Sequence, residues 1–320
     1  MVRYLGLDIG ATSIRARITT GQLEALAQVI RPTPQGPTAA DFLAGVTETL
    51  DRVCREAGVE RSALAAVGIG SFGPLDTDRG RIRATPNLDA DLRDVPVVAA
   101  VREWLSADAP VVLSNDAVAG VVAEHERDRT DNLAYLTLSS GVGAGVVVDG
   151  HVLRGHDGTV AEVGHFVLAP KSDRPCGCGG TGHWEAFCGG ENIPAYAAAL
   201  AATEGFETTL FDTAAADVEG VTAADIFEAD GEDELATATV ERVGAWNAQG
   251  TANLIQAFAP ERIAVGGSVA LENEALVLDP IRERVGDHLV GATPEIGLTP
   301  FGDSVVVRGA LVQARRAAND

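Results

Sequence analysis

Lysine is almost missing from this chain: Lys171 is the only one among 320 residues. That scarcity removes whole chemistries. A GxxxxGK phosphate loop cannot occur, and neither can the strand lysine of a protein-kinase site, so any phosphate chemistry rests on backbone N–H groups, arginine and a metal ion. No apolar run approaches the roughly 18 residues that a membrane-crossing helix needs. Asp8 interrupts the first apolar run, so no secretory hydrophobic region forms there, and the expectation is a soluble, cytoplasmic protein. Four cysteines are too few for a disulfide framework in a chain of this length, and three of them are bunched between Cys176 and Cys188. Metal binding or redox chemistry explains such bunching better. Cys54, alone on an expected helix, reads as plain core.

Positive charge is scarce in general. The 46 acidic residues outnumber 24 basic ones, giving net −22, a field that repels nucleic acid and anionic membranes alike. Neither is an expected partner; a small molecule is. Aromatics are just 5%, while Ala, Val, Asp and Glu dominate. This composition suits solubility in concentrated salt, although an acidic proteome alone would produce it too. With 46% hydrophobic residues in 320, the chain has material for two cores rather than one.

Along the chain, residues 2–9 and 14–20 read as strands around the tight turn "GATS", and "LEALAQVI" as a third strand. A helix is expected from Pro37 to Gly58, then a strand "LAAVGIG", an irregular segment from Ser71 to Arg93, a helix opened by Pro96, a strand "VVLSN" and a helix Val118–Arg127. "LAYLTLSSGVGAGVVVDGHVL" then repeats the opening design, with a second hairpin at Asp149-Gly150. From Gly190 the chain turns helical and Ala-rich, with an acidic break from Glu204 to Gly220. A long helix near Asp233–Phe258 leads into a buried strand "RIAVGG". A last strand "SVVV" and a helix from Gly309 close it. The duplicated hairpin is the strongest organisational signal.

"GIGSFG", residues 68–73, matches the dinucleotide fingerprint GxGxxG after a strand. Its context refuses that reading: Pro74 and the turn-rich "LDTDRG" follow, where a fingerprint must open a helix. "DIGATS" and "SSGVGAG" differ, since each lies between two strands, where small residues let the backbone approach an anion. Each alone could be an ordinary hairpin. Together, and with "AVGGS" after a late strand, they point to one nucleotide cleft between two related lobes. Asp8, a carboxylate in an apolar strand, suits a cation such as Mg²⁺ there. "SND" at Ser114–Asp116 could be no more than a helix N-cap.

The motifs "LGLDIGATSIRARIT", "GIGSFGPLD", "TPNL", "LSNDAVAG", "LTLSSGVGAGVVVDGHVLRG", "AEVGH", "CGCGGTGH" with "WE", and "AVGGS" stand in this order over residues 3 to 310. In order and spacing the chain resembles the ROK family, sugar kinases and related repressors of the actin-like ATPase superfamily. The resemblance implies an α/β fold of two ribonuclease-H-like lobes, with residues 1–114 plus 303–320 in an N-terminal lobe and 115–302 in a larger C-terminal one holding a zinc loop at 165–188. It also implies ATP with Mg²⁺, structural Zn²⁺, a sugar substrate and a homodimer or larger homo-oligomer. The family's repressors begin with a helix-turn-helix, whereas this chain starts at the first phosphate strand, which favours the kinase branch.

By the same resemblance Asp116 is the general base for the sugar hydroxyl. Asn87, Asn115, Asp116, Glu162, His165 and Glu185 contact the sugar. Asp8, Gly10, Thr12, Ser140, Gly141, Gly143, Gly266 and Gly267 bind Mg·ATP, and His165, Cys176, Cys178 and His183 hold zinc. A ring of carboxylates, amide and imidazole is what a sugar's donors and acceptors ask for. The sequence departs from the family pattern at several places. His183 stands where a third cysteine is usual, with Cys188 as a possible substitute ligand, and Asp91 stands where a tryptophan is common. Ser139-Ser140 replace Gly-Thr, Ala144 replaces a glycine, and Ala161 precedes Glu162 where glycine is common. The leading expectation is a hexose kinase converting glucose to glucose 6-phosphate. The alternatives are a kinase of fructose, mannose or an N-acetylhexosamine such as N-acetylmannosamine, or a non-catalytic sugar sensor, which would not need Asp116. An actin-like ATPase without a sugar leaves Glu162, His165 and Glu185 unexplained. A CxC redox pair is weaker than metal binding for a CxC beside histidines.

At net −22 the fold repels itself in dilute buffer, and screening relieves this as the Debye length shrinks from ~10 Å at 0.1 M to ~3 Å at 1 M salt. Melting temperature should therefore rise between 0.1 and 2 M KCl; equal values would contradict the link to concentrated salt.

Overall fold

Strand β1 (Arg3–Ile9) keeps Leu5, Leu7 and Ile9 out of water and pairs antiparallel with β2 (Ser13–Thr20) from Arg3 opposite Thr20 to Ile9 opposite Ile14. In this computed structural model, which describes residues 2–85, 88–105, 108–156, 158–212 and 218–319, β3 (Ala25–Pro32) extends the hairpin. Helix α1 (Ala39–Ala57) is started by the Thr38 side chain, which accepts from Asp41 N–H, and stopped by Gly58 at φ 60°, a left-handed cap that glycine adopts without strain. Its Phe42, Val46, Leu50 and Val53 recur at helical spacing and are buried. Cys54 joins them in the core, as expected, and burial pushes its thiol up to about 11.

The sheet continues with β4 (Ala66–Ser71), parallel to β1. Residues 71–93, read from sequence as irregular, form a small antiparallel sheet of β5 (Leu75–Asp76), β6 (Arg81–Ala84) and β7 (Arg93–Val95). Strands of two to four residues are too short to show an alternating pattern. Helix α2 (Val97–Leu105), strand β8 (Val111–Asn115) and helix α3 (Asp116–Asp128) follow. The main sheet reads β3-β2-β1-β4-β8, its last pairing parallel.

One expectation fails at the end of the chain. "SVVV" is not a strand: a 3₁₀ turn at Gly302–Ser304 runs into a helix Val305–Ala317. Strand propensity is overridden by packing. A Cβ on Gly68 would lie 1.9 Å from Ala310 O, one on Gly6 2.7 Å from Val307 O, and one on Gly309 1.7 Å from Ala119 O. Small residues thus press this helix onto β1, β4 and α3. The same contacts explain the false dinucleotide fingerprint: Gly68 and Gly70 face the C-terminal helix, with a Gly70 Cβ 2.6 Å from Val306, and no helix follows β4 directly.

In the second part of the chain β9 (Leu133–Leu138), β10 (Val142–Val148) and β11 (His151–Val152) precede α4 (Glu185–Cys188), α5 (Ile193–Glu204), α6 (Ala223–Glu228) and α7 (Glu234–Phe258). Strand β12 (Arg262–Gly266), helices α8 (Ser268–Glu272) and α9 (Glu274–Arg284) and strand β13 (Glu295–Leu298) complete it. The sheet order is β11-β10-β9-β12-β13, antiparallel on one side of β9 and parallel on the other. This repeats the first sheet's plan, as the duplicated hairpin forecast, in the ribonuclease-H-like arrangement that the family resemblance implied. The sequence reading contained no β13, which is four residues between loop segments.

Two compact units comprise Met1–Arg129, Val152–Val160 and Ser304–Asp320 in one, and Thr130–His151 and Ala161–Asp303 in the other. The division differs from the expected 1–114 plus 303–320 against 115–302. Helix α3 groups with the first unit because Ala119 lies against Gly309, and residues 152–160 group with it as well. No helix among the described residues is long and apolar enough to cross a membrane.

Candidate active site and metal centre

The first unit carries two groups of candidate residues. Asp8 ends β1 beside the turn at residues 10–13, which closes with Gly10 N–H on Ser13 O at 3.0 Å and is braced by Thr33, whose hydroxyl donates to Gly10 O at 2.6 Å and whose N–H donates to Thr12 O at 2.9 Å. The Asp8 carboxylate lies 3.5 Å from Arg15 Nη1, both side chains being largely buried. An anionic oxygen next to a braced turn is a suitable donor for Mg²⁺, a hard cation that takes oxygen ligands.

The second group sits where β8 becomes α3. Asn115 is indeed an N-cap: its Oδ1 accepts from Ala117 N–H at 2.9 Å and Val118 N–H at 3.4 Å. Asp116 is therefore fixed in the first turn, its Oδ1 accepting from Ala117 N–H at 2.7 Å. Burial pushes its pKa up to about 6, against the opposing hydrogen bonds of the Ala117 and Asp116 N–H groups and of Asn115. A carboxylate so tuned is ionised at neutral pH yet more basic than usual, as a proton acceptor must be.

In the second unit the glycine-rich segments converge. Gly143 on β10 and Gly266 on β12 both stand opposite Thr137 on the strand between them. The hairpin turn closes with Ser139 N–H on Gly141 O at 3.0 Å, and Ser139 and Ser140 carbonyls accept from Gly190 and Glu191 N–H at 2.7 and 3.1 Å. Gly267, at φ 88°, presses on the Leu138 backbone, where a Cβ would lie 2.3 Å from its carbonyl oxygen. Ser140, Gly141, Gly143, Gly266 and Gly267 thus share one end of this sheet. Ser139 and Ser268, whose hydroxyls meet at 3.1 Å, belong there too; the sequence reading named no role for Ser268, although it ends "AVGGS".

The CGCGGTGH loop folds as a knuckle. Cys176 N–H bonds Gly180 O and Gly179 N–H bonds Cys176 O, both at 2.9 Å, and Val167 bridges His183. Its glycines have specific work: Gly179 and Gly182 take φ of 89° and 67°, and a Cβ on Gly180 would strike the His183 ring at 2.3 Å. The result gathers one ligand atom each from His165, Cys176, Cys178 and His183 within 4.8 Å of one another. Cys178 Sγ is 3.2 Å from His183 Nδ1, and Cys176 Sγ is 3.7 Å from His165 Nδ1. Tetrahedral zinc, with bonds of about 2.3 Å to sulfur and 2.0–2.1 Å to nitrogen, needs ligand separations of roughly 3.3–3.8 Å, so two histidines and two cysteines fit it. Cys188 is no substitute ligand: it is buried and its thiol donates to Val243 O at 3.6 Å, on α7.

Glu185 connects the knuckle to the hairpin. Its Oε2 accepts from Val142 N–H at 2.9 Å, and its Oε1 lies 3.6 Å from Cys176 Sγ. Trp184 before it is fully buried, its Nε1 donating to Asn247 at 2.9 Å. Glu162 precedes a short 3₁₀ turn, Val163–His165, and its carbonyl accepts from His165 N–H at 3.1 Å. Asn87 lies outside the described residues.

The ROK family pattern matches residues 4–317. The chain belongs to the ROK family. A glucokinase of Pyrobaculum calidifontis is 36% identical over 98% of this chain and 95% of its own. The ROK hexokinase from Thermus thermophilus superposes with a TM-score of 0.80 at 31% identity, covering 99% of both chains. A ROK family glucokinase from Streptomyces griseus, solved in complex with glucose and AMPPNP, gives 0.79 at 29% identity over 98% and 99%.

Two departures of this ROK chain now have a structural reading. Ala144 lies within β10 in ordinary strand geometry. Ala161 holds φ 58°, the left-handed region that costs a non-glycine residue roughly 1–2 kcal/mol, which is why glycine suits the position ahead of Glu162.

The donor set predicts about one zinc per chain by elemental analysis. Cys176→Ser should lose it and His183→Cys should keep it; protein purified without chelator and free of zinc would mean that packing around Trp184 alone holds the loop.

Proposed function

We propose that this ROK protein is an ATP-dependent hexose kinase that phosphorylates glucose on its 6-hydroxyl. The observation that carries the reading is the capped, desolvated carboxylate of Asp116 at the start of α3. The whole-length likeness to glucokinases supports it.

In the proposed reaction Asp116 accepts the proton of the sugar hydroxyl as that oxygen bonds to the γ-phosphorus and the bond from phosphorus to the ADP oxygen breaks. Such transfer asks the protein chiefly for alignment and charge neutralisation. Asn115 uses its Oδ1 for the cap and its amide N–H also bonds the Asp116 carboxylate, so the remaining Nδ2 hydrogen is assigned to a sugar hydroxyl. Glu162, His165 and Asn87 are assigned to further hydroxyls. Glu185 gives one oxygen to the Val142 N–H, so it positions the hairpin as well as any sugar hydroxyl it meets. With a single lysine in the chain, N–H groups of the Gly10–Thr12 and Ser140–Gly143 turns and of Gly266–Gly267 are assigned to the phosphates. Asp8 would hold Mg²⁺, which neutralises phosphate charge when bound. His165, Cys176, Cys178 and His183 would hold zinc, which fixes the knuckle and sets which His165 nitrogen remains for sugar.

Asp91, where a tryptophan is common in the family, pairs with Arg93 and bears on sugar choice. A coupled ADP-release assay should give glucose a kcat/KM at least ~10-fold above fructose, mannose and N-acetylmannosamine, a gap of about 1.4 kcal/mol. Asp116→Asn should lower kcat by at least ~10²-fold, the usual worth of a general base, while glucose still binds. Turnover of no sugar by the wild type would leave a sugar sensor instead.

A further inference from the structure

A cavity of about 430 Å³ lies wholly within the first unit, along the β8 edge of its sheet. That volume is in the range of small-molecule sites, about 300–1,000 Å³. Val98 of α2 and Val118 and Val122 of α3 give it an apolar floor. Around this floor stand Arg79, Arg102, Arg154 and Arg316, drawn from four separate segments, with Asp78 the one carboxylate among the described lining residues.

In a chain with 46 acidic and 24 basic residues, four arginines against one acid is a local inversion of charge. Arg316 is neutralised by Glu126 at 2.9 Å and Arg79 lies 3.9 Å from Asp76. Arg102 and Arg154 have no acidic partner among the described residues. Two guanidinium groups without an acidic partner at one cavity attract an anion, and a planar fork of donors is matched by phosphate oxygens. Polar groups for a ligand's body are present as well: Ser114 Oγ donates to Gln313 Oε1 at 2.9 Å, which leaves the Gln313 Nε2 hydrogens available.

We infer that this cavity is a regulatory site for a small organic phosphate, its phosphoryl group held by Arg102 and Arg154 and its body lying on the valine floor. The cavity adjoins the assigned sugar site through Asn115, which is a lining residue, while Asp116 is not among the described lining residues. Because Asn115 caps α3 and so fixes Asp116, an occupant that touches it alters the base's position, and kcat responds.

The test uses the zinc-loaded full chain with glucose and a non-hydrolysable ATP analogue at saturation, so that the catalytic groups are engaged. Calorimetric titration with glucose 6-phosphate, ADP and inorganic triphosphate distinguishes a sugar phosphate, a nucleotide and a bare phosphate chain as the source. One anion per chain should bind, and at least ~10-fold more weakly to the Arg102→Ala/Arg154→Ala variant. Both side chains are exposed, so this variant should keep its fold and its basal kcat and KM. Saturating anion should change kcat of the wild type and not of the variant. Binding of none of the three, or equal binding by the variant, overturns the site; binding with unchanged kcat overturns its regulatory role. Binding is read without turnover, so a chain that is no kinase would still give a clear answer here.

Discussion

A half-buried carboxylate in the first turn of α3, its pKa raised by burial, is the constraint on which the proposed chemistry depends. Burial makes Asp116 more basic, while the Ala117 N–H and the positive end of the helix keep it ionised at neutral pH. The balance requires that α3 start where it does, and Asn115 ensures this by taking two N–H groups of the first turn. The position of α3 depends in turn on glycine. Gly309 lets the C-terminal helix reach Ala119, and Gly68 lets that helix reach β4. The proposed base is thus positioned by contacts from residue 68 and residue 309, neither of which touches it.

The second unit applies the same economy to a metal and a hairpin. The knuckle glycines allow four donors to approach, and Glu185 passes that order to the Ser139–Val142 turn through one hydrogen bond to Val142 N–H. Burial and the neighbouring charge of Glu185 push the Cys176 thiol up to about 12 without a cation. A metal held here would take Cys176 as a thiolate and offset the charge of Glu185. The proposed inventory suits a protein poor in lysine, with backbone N–H groups and a carboxylate-held cation assigned the work a lysine does elsewhere.

Much of this was legible in the residues. Paired hairpins around "GATS" and "SSGVGAG" announced two sheets of one plan, because small residues between alternating strands have few other uses. The donors at 165, 176, 178 and 183 were readable for the same reason, their spacing being short. What escaped was set by long-range packing. The valines at 305–307 read as strand until Gly6 and Gly68 are seen to admit a helix, and the glycines of "GIGSFG" looked like a phosphate loop although they serve that helix. Cys188 looked available as a ligand, and only the course of α4 turns it toward α7. The strands at residues 75–95 and 295–298 were too short for any periodicity to register. The arginines around the first-unit cavity come from positions 79, 102, 154 and 316, a separation no local motif can reveal.

The central claim is that Asp116 takes the proton of the sugar hydroxyl, and its raised pKa makes this directly measurable. Only the ionised carboxylate can accept, so activity belongs to the pH range above the folded-state pKa of about 6 and is lost as pH falls through it. Measured from pH 5 to 8 at sub-saturating glucose and saturating Mg·ATP, kcat/KM for glucose should be level in the upper range and fall tenfold per pH unit on the acid side, with a midpoint near 6. A kcat/KM that stays level down to pH 5 in protein that remains folded would contradict the account.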